Sequence, residues 1–146
     1  MPEPVVREIK AGEDAVAYGA IAALRPLVGS LSQFEEIVSK QREGGYRMAG
    51  IFEAGVSESV AVAGFSVGRR LAWGSYLCVE DASAHPDHQC EGHVDQLLRW
   101  VVEEAKRLAV DSIHLDSEVQ RFAAHRLYLR SGFRISAHHF QLNLEP

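Results

Sequence analysis

Residues 79–98 read VEDASAHPDHQCEGHVDQLL. The left end belongs to a strand that runs out at Ala84. The middle is polar, with Pro86 and a lone glycine, Gly92. The right end opens the strongest periodic pattern in the chain. Val94, Leu97, Leu98, Val101, Val102, Ala105, Leu108 and Ala109 keep i, i+3, i+4, i+7 spacing over four turns of helix. Asp95–Arg99 and Glu103–Arg107 are spaced i, i+4 on its wetter side. A strand, a tight turn and a long helix in this order gather unpaired backbone N–H groups at one point. The helix dipole adds partial positive charge there, which suits an anion such as phosphate. An ordinary strand-to-helix turn has the same pattern, so the flanking sequence has to decide between the two.

C-terminal to this segment, SIHLD (112–116) reads as a strand, and Ser117 three residues before Gln120 has capping-box spacing. The helix so opened carries Val119, Ala123, Leu127 and Tyr128, and Gly132 is placed as its stop. Phe133 to Leu144 reads as one or two strands. N-terminal to it, residues 4–10 predict a strand and Asp14 caps a helix running to Arg25. Ser32 with Glu35 predicts a capping box for a second helix, which Gly44-Gly45 ends. Residues 46–54, 59–67 and 75–84 read as strands, with Gly68-Arg-Arg as the hairpin between the last two. The order is β-α-α-β-β-β-α-β-α-β-β. A helix between strands 75–84 and 112–116 implies a parallel pairing in an otherwise mostly antiparallel, mixed sheet, an α/β (α+β) fold.

The chain of 146 residues is long enough to bury a core without disulfides or metals and is expected to form one domain, 1–146. Apolar residues make up 47% and charged residues 24%, an ordinary globular composition. The net charge of −5 argues against general nucleic-acid binding and is compatible with a cationic small substrate. No apolar run suggests a membrane span and no signal peptide is visible, so a cytoplasmic setting is expected. Cys78 and Cys90 do not make a disulfide framework or a zinc spacing. Edge strands at the terminus would suit a homodimer.

Taken with LDSEVQRFAAHRLYLRSGF (115–133), the opening stretch resembles the GCN5-related N-acetyltransferase (GNAT) family. In that family a strand leads into Gln/Arg-x-x-Gly-x-Gly/Ala and a helix, and a later helix carries Ala-x-x-x-Tyr ahead of Gly-Phe. Here the first motif falls on Gln89-Cys90-Glu91-Gly92-His93-Val94 and the second on Ala124 to Tyr128, closed by Ser131-Gly132-Phe133. Residues 75–140 carry the resemblance; residues 1–60 match by element order only.

The resemblance implies a GNAT-like mixed sheet flanked by about four helices, with a splayed parallel strand pair, and direct acetyl transfer from acetyl-CoA to an amine. The backbone of Gln89, Cys90, Glu91, Gly92, His93 and Val94 would hold the pyrophosphate. The strand backbone through Ala82 and Ala84 would pair with the pantetheine arm. Arg121 stands where relatives often have an asparagine that touches the cofactor. Tyr128 would act as general acid toward the leaving thiolate, a role a phenol can fill. Glu80 corresponds to a strand glutamate that serves as base in some relatives. Asp81 is a second candidate. Simple alternation puts Glu80, Ala82 and Ala84 on one face and Asp81 on the other. A base near a partly dry cleft needs a raised pKa.

Cys90 and Val94 depart from the family's small residues, and Glu91 carries a negative charge toward a phosphate site. These departures support a second reading, an acetyltransferase fold that binds or regulates without catalysis. His85, His88 and His93 lie close together but lack a recognised metal-ligand spacing, so no metal is expected. His88 or His93, when protonated, could help hold phosphate. Phe34, Tyr46 and Trp73 are candidates for lining an acceptor cleft or for core packing. The acceptor itself is not readable from these residues.

Overall fold

The computed structural model describes residues 3–89 and 92–145. The described residues divide into two compact units between Leu115 and Asp116.

The first unit holds a five-stranded sheet, β1 (Val5–Ile9), β2 (Tyr46–Phe52), β3 (Ala61–Arg70), β4 (Gly74–Ala84) and β5 (Ser112–Leu115), in spatial order β1-β2-β3-β4-β5. The first three pairings are antiparallel and β4–β5 is parallel, as expected for a strand pair joined through a helix. The side chains alternate between two apolar clusters. Ala49, Ile51, Ala61, Ala63, Phe65, Leu77 and Val79 pack with Leu97, Val101 and Ala105 of helix α3 (His93–Leu108). Ile9, Tyr46, Met48 and Val62 pack with Ala20 and Ile21 of α1 (Tyr18–Leu24) and with Phe34 and Val38 of α2 (Leu31–Glu43).

Several local expectations are corrected by the structure. The capping box of α2 is built on Ser30, two residues before Ser32. Ser30 Oγ accepts from the Gln33 N–H at 3.2 Å, and Gln33 Oε1 accepts from the Ser30 N–H at 2.8 Å. Asp14 begins a 3-10 turn (Asp14–Ala17), and its buried carboxylate accepts from Arg42 of α2 at 2.6 Å. An ionic partner there competes with any capping role. The β3–β4 connection is Leu71-Ala72-Trp73. Gly68 lies inside the ladder opposite Tyr76, where an added Cβ would meet Tyr76 Oη at 2.8 Å. On α3, Asp95–Arg99 forms, but Arg107 turns to Glu104, while Glu103 pairs with Lys106.

The second unit, residues 116–145 of those described, is built around α4 (Phe122–Arg130). Arg121 stands at its N-cap. The Ser117–Gln120 box does not form, because Gln120 donates instead to Glu118 Oε2 at 2.6 Å, and Ser117 Oγ is buried without a hydrogen-bond partner. Gly132, at φ +100°, ends the helix as expected, and the Phe133 N–H donates to the Tyr128 carbonyl at 3.0 Å. The predicted strands over 133–144 are absent among the described residues. Alternating apolar residues such as Phe140, Leu142 and Leu144 give a segment two faces, but a strand also needs a neighbour to take its backbone bonds. These three side chains are exposed. No helix among the described residues is long and apolar enough to cross a membrane.

Candidate active site

The site is organised by one extra residue in β4. Gly64 of β3 faces Asp81, and the next residue, Phe65, faces Val79, so Glu80 is a β-bulge. An extra residue reverses the alternation beyond it. Leu77 and Val79 point toward α3, and so do Ala82 and Ala84 after the bulge. Asp81 points the other way, toward Tyr46 and α1. Glu80 lies on the same side as Asp81, since its carboxylate interacts with the Ser66 hydroxyl, with Asp81 and with Arg70. The simple alternation, with Glu80 sharing a face with Ala82 and Ala84, is therefore corrected: the bulge brings both carboxylates to one face and leaves the two alanines on the other.

Asp81 is fully engaged. Tyr46 Oη donates to its Oδ2 at 2.8 Å and Arg25 Nε donates to its Oδ1 at 2.9 Å. Arg25 Nη2 also donates to the Glu80 carbonyl oxygen at 2.9 Å, so one guanidinium spans the bulge. The Tyr46 ring reaches Asp81 by crossing Gly64, where an added Cβ would lie 1.7 Å from Tyr46 Oη. A glycine inside a strand marks such close approaches. Burial, then the Asp81 charge, hold the Tyr46 phenol well above its ordinary range. Glu80, although exposed at the sheet surface, is also raised, first by partial desolvation of its carboxyl and then by the neighbouring Asp81 charge, against a lowering hydrogen bond from Ser66. A raised carboxylate is what a base working toward neutral pH requires.

A cavity of about 240 Å³ opens between α1, α2 and this part of the sheet. Phe34, Ile37 and Val38 of α2 form one wall, and Tyr46, Asp81 and Arg25 form the polar end. Two of the three aromatic candidates, Phe34 and Tyr46, thus serve at once in the core and in the cavity lining. Trp73 is elsewhere, at the β3–β4 turn, stacked on His114 at 3.5 Å with Arg70 over its ring at 4.2 Å. The charged partner that sequence reasoning missed is Arg25. The one signal available for this cluster was Gly64, an isolated glycine in an apolar strand.

On the other side of the bulge, β4 parts from β5. Their pairing ends at Val79↔Leu115, and beyond the Glu80 bulge residues 81–84 continue the ladder, among the described residues, with β3 alone. An unpaired strand edge offers N–H and C=O groups to an extended ligand. β4 then leads through a 3-10 turn (Pro86–His88) to the N-terminus of α3. Gly92 is the N-cap at φ +100°, with nothing among the described residues within 4 Å of where a Cβ would stand. A cleft of about 530 Å³ lies here, lined among others by His88, Gln89, Gly92, His93, Gln96 and Arg99. The Gln89 side chain folds back to donate to the Ala84 carbonyl at 3.3 Å, bracing the turn. His93 is buried and Val94 half-buried. Cys90 and Glu91 lie outside the described residues. His85 is tied locally: its Nδ1 accepts from the Asp87 N–H at 3.1 Å and its Nε2 lies 3.4 Å from Glu58. Among the described residues no group of three His, Cys, Asp or Glu is arranged to hold a metal. A helix N-terminus and a strand edge are the kinds of group that take a phosphate and an extended, amide-bearing arm; the carboxylates of Glu53 and Asp95 also line this cleft.

In the second unit, Tyr128 lies on α4, half-buried, its ring packed edge-on against Phe133 at 6.1 Å between centroids. Burial raises its phenol, with Arg121 opposing, so it keeps its proton at neutral pH. Arg121 is exposed at the helix N-cap.

The family model described as "Acetyltransferase (GNAT) family" matches residues 21–133, running across the division at Leu115. No curated protein matches the sequence. Among solved structures, an acetyltransferase of Trypanosoma brucei superposes with a TM-score of 0.81 at 16% identity, over 97% of this chain and 100% of that one. Glucosamine-6-phosphate N-acetyltransferase of Arabidopsis thaliana gives 0.77 at 12% identity, over 99% and 100%. AAC(6')-Iy in complex with the bisubstrate analog CoA-S-monomethyl-acetylneamine gives 0.78 at 11%, over 99% and 100%. Identities this low speak for the fold alone. The family match spans most of the chain, includes the β4 bulge, the α3 N-terminus and Tyr128, and so makes the chain a member of the GNAT acetyltransferase family.

Proposed function

We propose that the protein transfers an acetyl group directly from acetyl-CoA to a primary amine. The observation that carries this reading is the bulge at Glu80. It sets a carboxylate of raised pKa beside the point where β4 loses its β5 partner. The free edge of residues 80–84 suits the pantetheine arm, and the N–H groups at Gly92 and His93 suit the pyrophosphate. Arg121 is kept as a further cofactor contact on the strength of the family pattern.

Acetyl-CoA, when bound, supplies a thioester whose acyl carbon accepts the amine and whose C–S bond then breaks. The residues of this chain manage protons. Glu80 takes one from the substrate ammonium, directly or through water, which frees the nitrogen lone pair. Tyr128, still protonated at neutral pH, gives one to the departing thiolate and is made good by the second proton that the nitrogen sheds as the amide forms.

Titration with acetyl-CoA, followed by heat or by melting temperature, tests the reading. Saturable stabilisation is expected, and its absence at millimolar ligand would overturn it in favour of a non-catalytic binding module. With binding established, Tyr128→Phe should lower kcat by about 10²–10⁴-fold and leave acetyl-CoA affinity within about threefold. Unchanged turnover would remove its acid role.

A further inference from the structure

From the cavity between α1, α2 and β4 we infer the class of acceptor: a small primary monoamine carried on a compact apolar body, whose ammonium takes the place now held by the Arg25 guanidinium. This rests on the acetyl-transfer reading for the reaction but not for the pocket.

The cavity lining is apolar except at one end. Ile21, Leu27, Val28, Phe34, Ile37 and Val38 make the walls, and among the described residues Asp81 is its one carboxylate. Two of the wall residues stand in water at the rim, Leu27 at 98% exposure and Ile37 at 41%. An apolar ligand would cover both. Beyond Asp81 and Arg25, only Gln41 and Tyr46 bring side-chain polar atoms, and the Tyr46 hydroxyl is already committed to Asp81. A polyamine would have to place its further ammonium groups against hydrocarbon, and an amino sugar its hydroxyls, with no partners to replace water. At about 240 Å³, the space is below the roughly 300–1,000 Å³ of sites for drug-sized ligands.

The Arg25 geometry describes the cation that belongs there. Its guanidinium donates to Asp81 Oδ1 at 2.9 Å and to the Glu80 carbonyl at 2.9 Å. A primary ammonium has three donors and can satisfy the same two acceptors. Held there, it would sit against the backbone carbonyl of Glu80. Arg25 is 45% exposed while Asp81 is 15% exposed, so the arginine can swing into water and the carboxylate cannot. The mobile member of the pair is thus the arginine, and an incoming cation can replace it without moving the carboxylate.

The test is equilibrium binding to the full chain, by calorimetry or NMR titration, with no acetyl-CoA present. 2-Phenylethylamine and isoamylamine should bind saturably and at least about tenfold more tightly than spermidine or glucosamine. Asp81→Asn should weaken 2-phenylethylamine by about tenfold or more, the loss of one charge-assisted bond. Arg25→Gln should tighten it by removing the resident cation. Should Asp81→Asn fail to fold, Ile37→Glu on the exposed rim should selectively raise spermidine affinity. Equal or tighter spermidine binding to the native chain would overturn the inference. So would an Asp81→Asn affinity equal to native, a weakened Arg25→Gln, or an Ile37→Glu without gain for spermidine. A Phe-Gly-Gly amide binding more tightly than 2-phenylethylamine would overturn the small-molecule assignment in favour of a peptide N-terminus. Because no donor is present, amine binding that persists while acetyl-CoA fails to bind sinks only the transferase reading, and the converse sinks only this one.

Discussion

At Gly64 the absence of a side chain is what lets Tyr46 reach Asp81. Gly64→Ala would put a methyl group within 1.7 Å of the Tyr46 hydroxyl, so the buried ring would have to shift and give up its hydrogen bond to Asp81. Overpacking of this kind costs about 1–3 kcal/mol, so a lower melting temperature is expected, partly recovered by adding Tyr46→Phe. A denaturation series on the single and double variants checks this. Glu80 gives a second prediction at this scale. Its carboxyl lies above the ordinary 4.5, through partial desolvation and the Asp81 charge. As a base it must be deprotonated, so kcat/KM should rise with pH through that raised value. Glu80→Gln should abolish this acidic limb in a pH–rate profile and lower the plateau. The roles given to Glu80 and Tyr128 came from motif positions. The link from Asp81 to Arg25 spans 56 positions in the chain, and no local pattern announces a pairing of that kind.

Among the elements, the long ones were legible and their ends were not. α3 follows its heptad-like stripe from the first turn to Leu108, because a full apolar face dictates both the conformation and the side that is buried. The start of α2 shows why ends are harder. Ser30 and Ser32 both precede a Gln or Glu by three, and spacing alone does not choose between them. In the structure Gly29, at φ +74°, turns the chain so that Ser30 adopts the extended cap conformation and Gln33 closes the box. Ser30→Ala should therefore cost about 0.5–2 kcal/mol, while Ser32→Ala, inside the helix, should be near neutral; chemical denaturation of the two distinguishes them. β4 makes the same point. Its existence followed from its apolar residues, but the bulge at Glu80 is a property of its register with β3 and is invisible in β4 alone.

At the scale of the molecule, an ionic chain ties β1, β2 and α3 together. Arg47 donates to Glu8 at 2.8 Å and to Glu104 at 2.6 Å, and Glu104 also accepts from Arg107 at 2.7 Å and 2.6 Å. The hydrogen bonds from Arg107, joined by those from Arg47, hold the nearly buried Glu104 down at about 2, below its ordinary 4.5. A carboxylate depressed on folding stabilises the folded state above its unfolded pKa, and that stability is lost as pH falls through the folded value. Acid unfolding should thus draw on Glu104 between about pH 4.5 and about pH 2. Glu104→Gln should be less stable at neutral pH and lose less on acidification, read by denaturant midpoints across that window. The sequence by itself determined the mixed fold, the strand–turn–helix at 79–98, the second motif through Tyr128 and, from these, the family, since each is written in periodicity and motif spacing within a short stretch of chain. Folding was needed to show that Glu80 and Asp81 share a face, that Tyr46 crosses Gly64, that Arg25 covers both, and that residues 133–145 form no strand. These depend on strand register and on partners distant in sequence, and a hydrogen-bonded ladder or an ion pair exists only when the second member is brought to it.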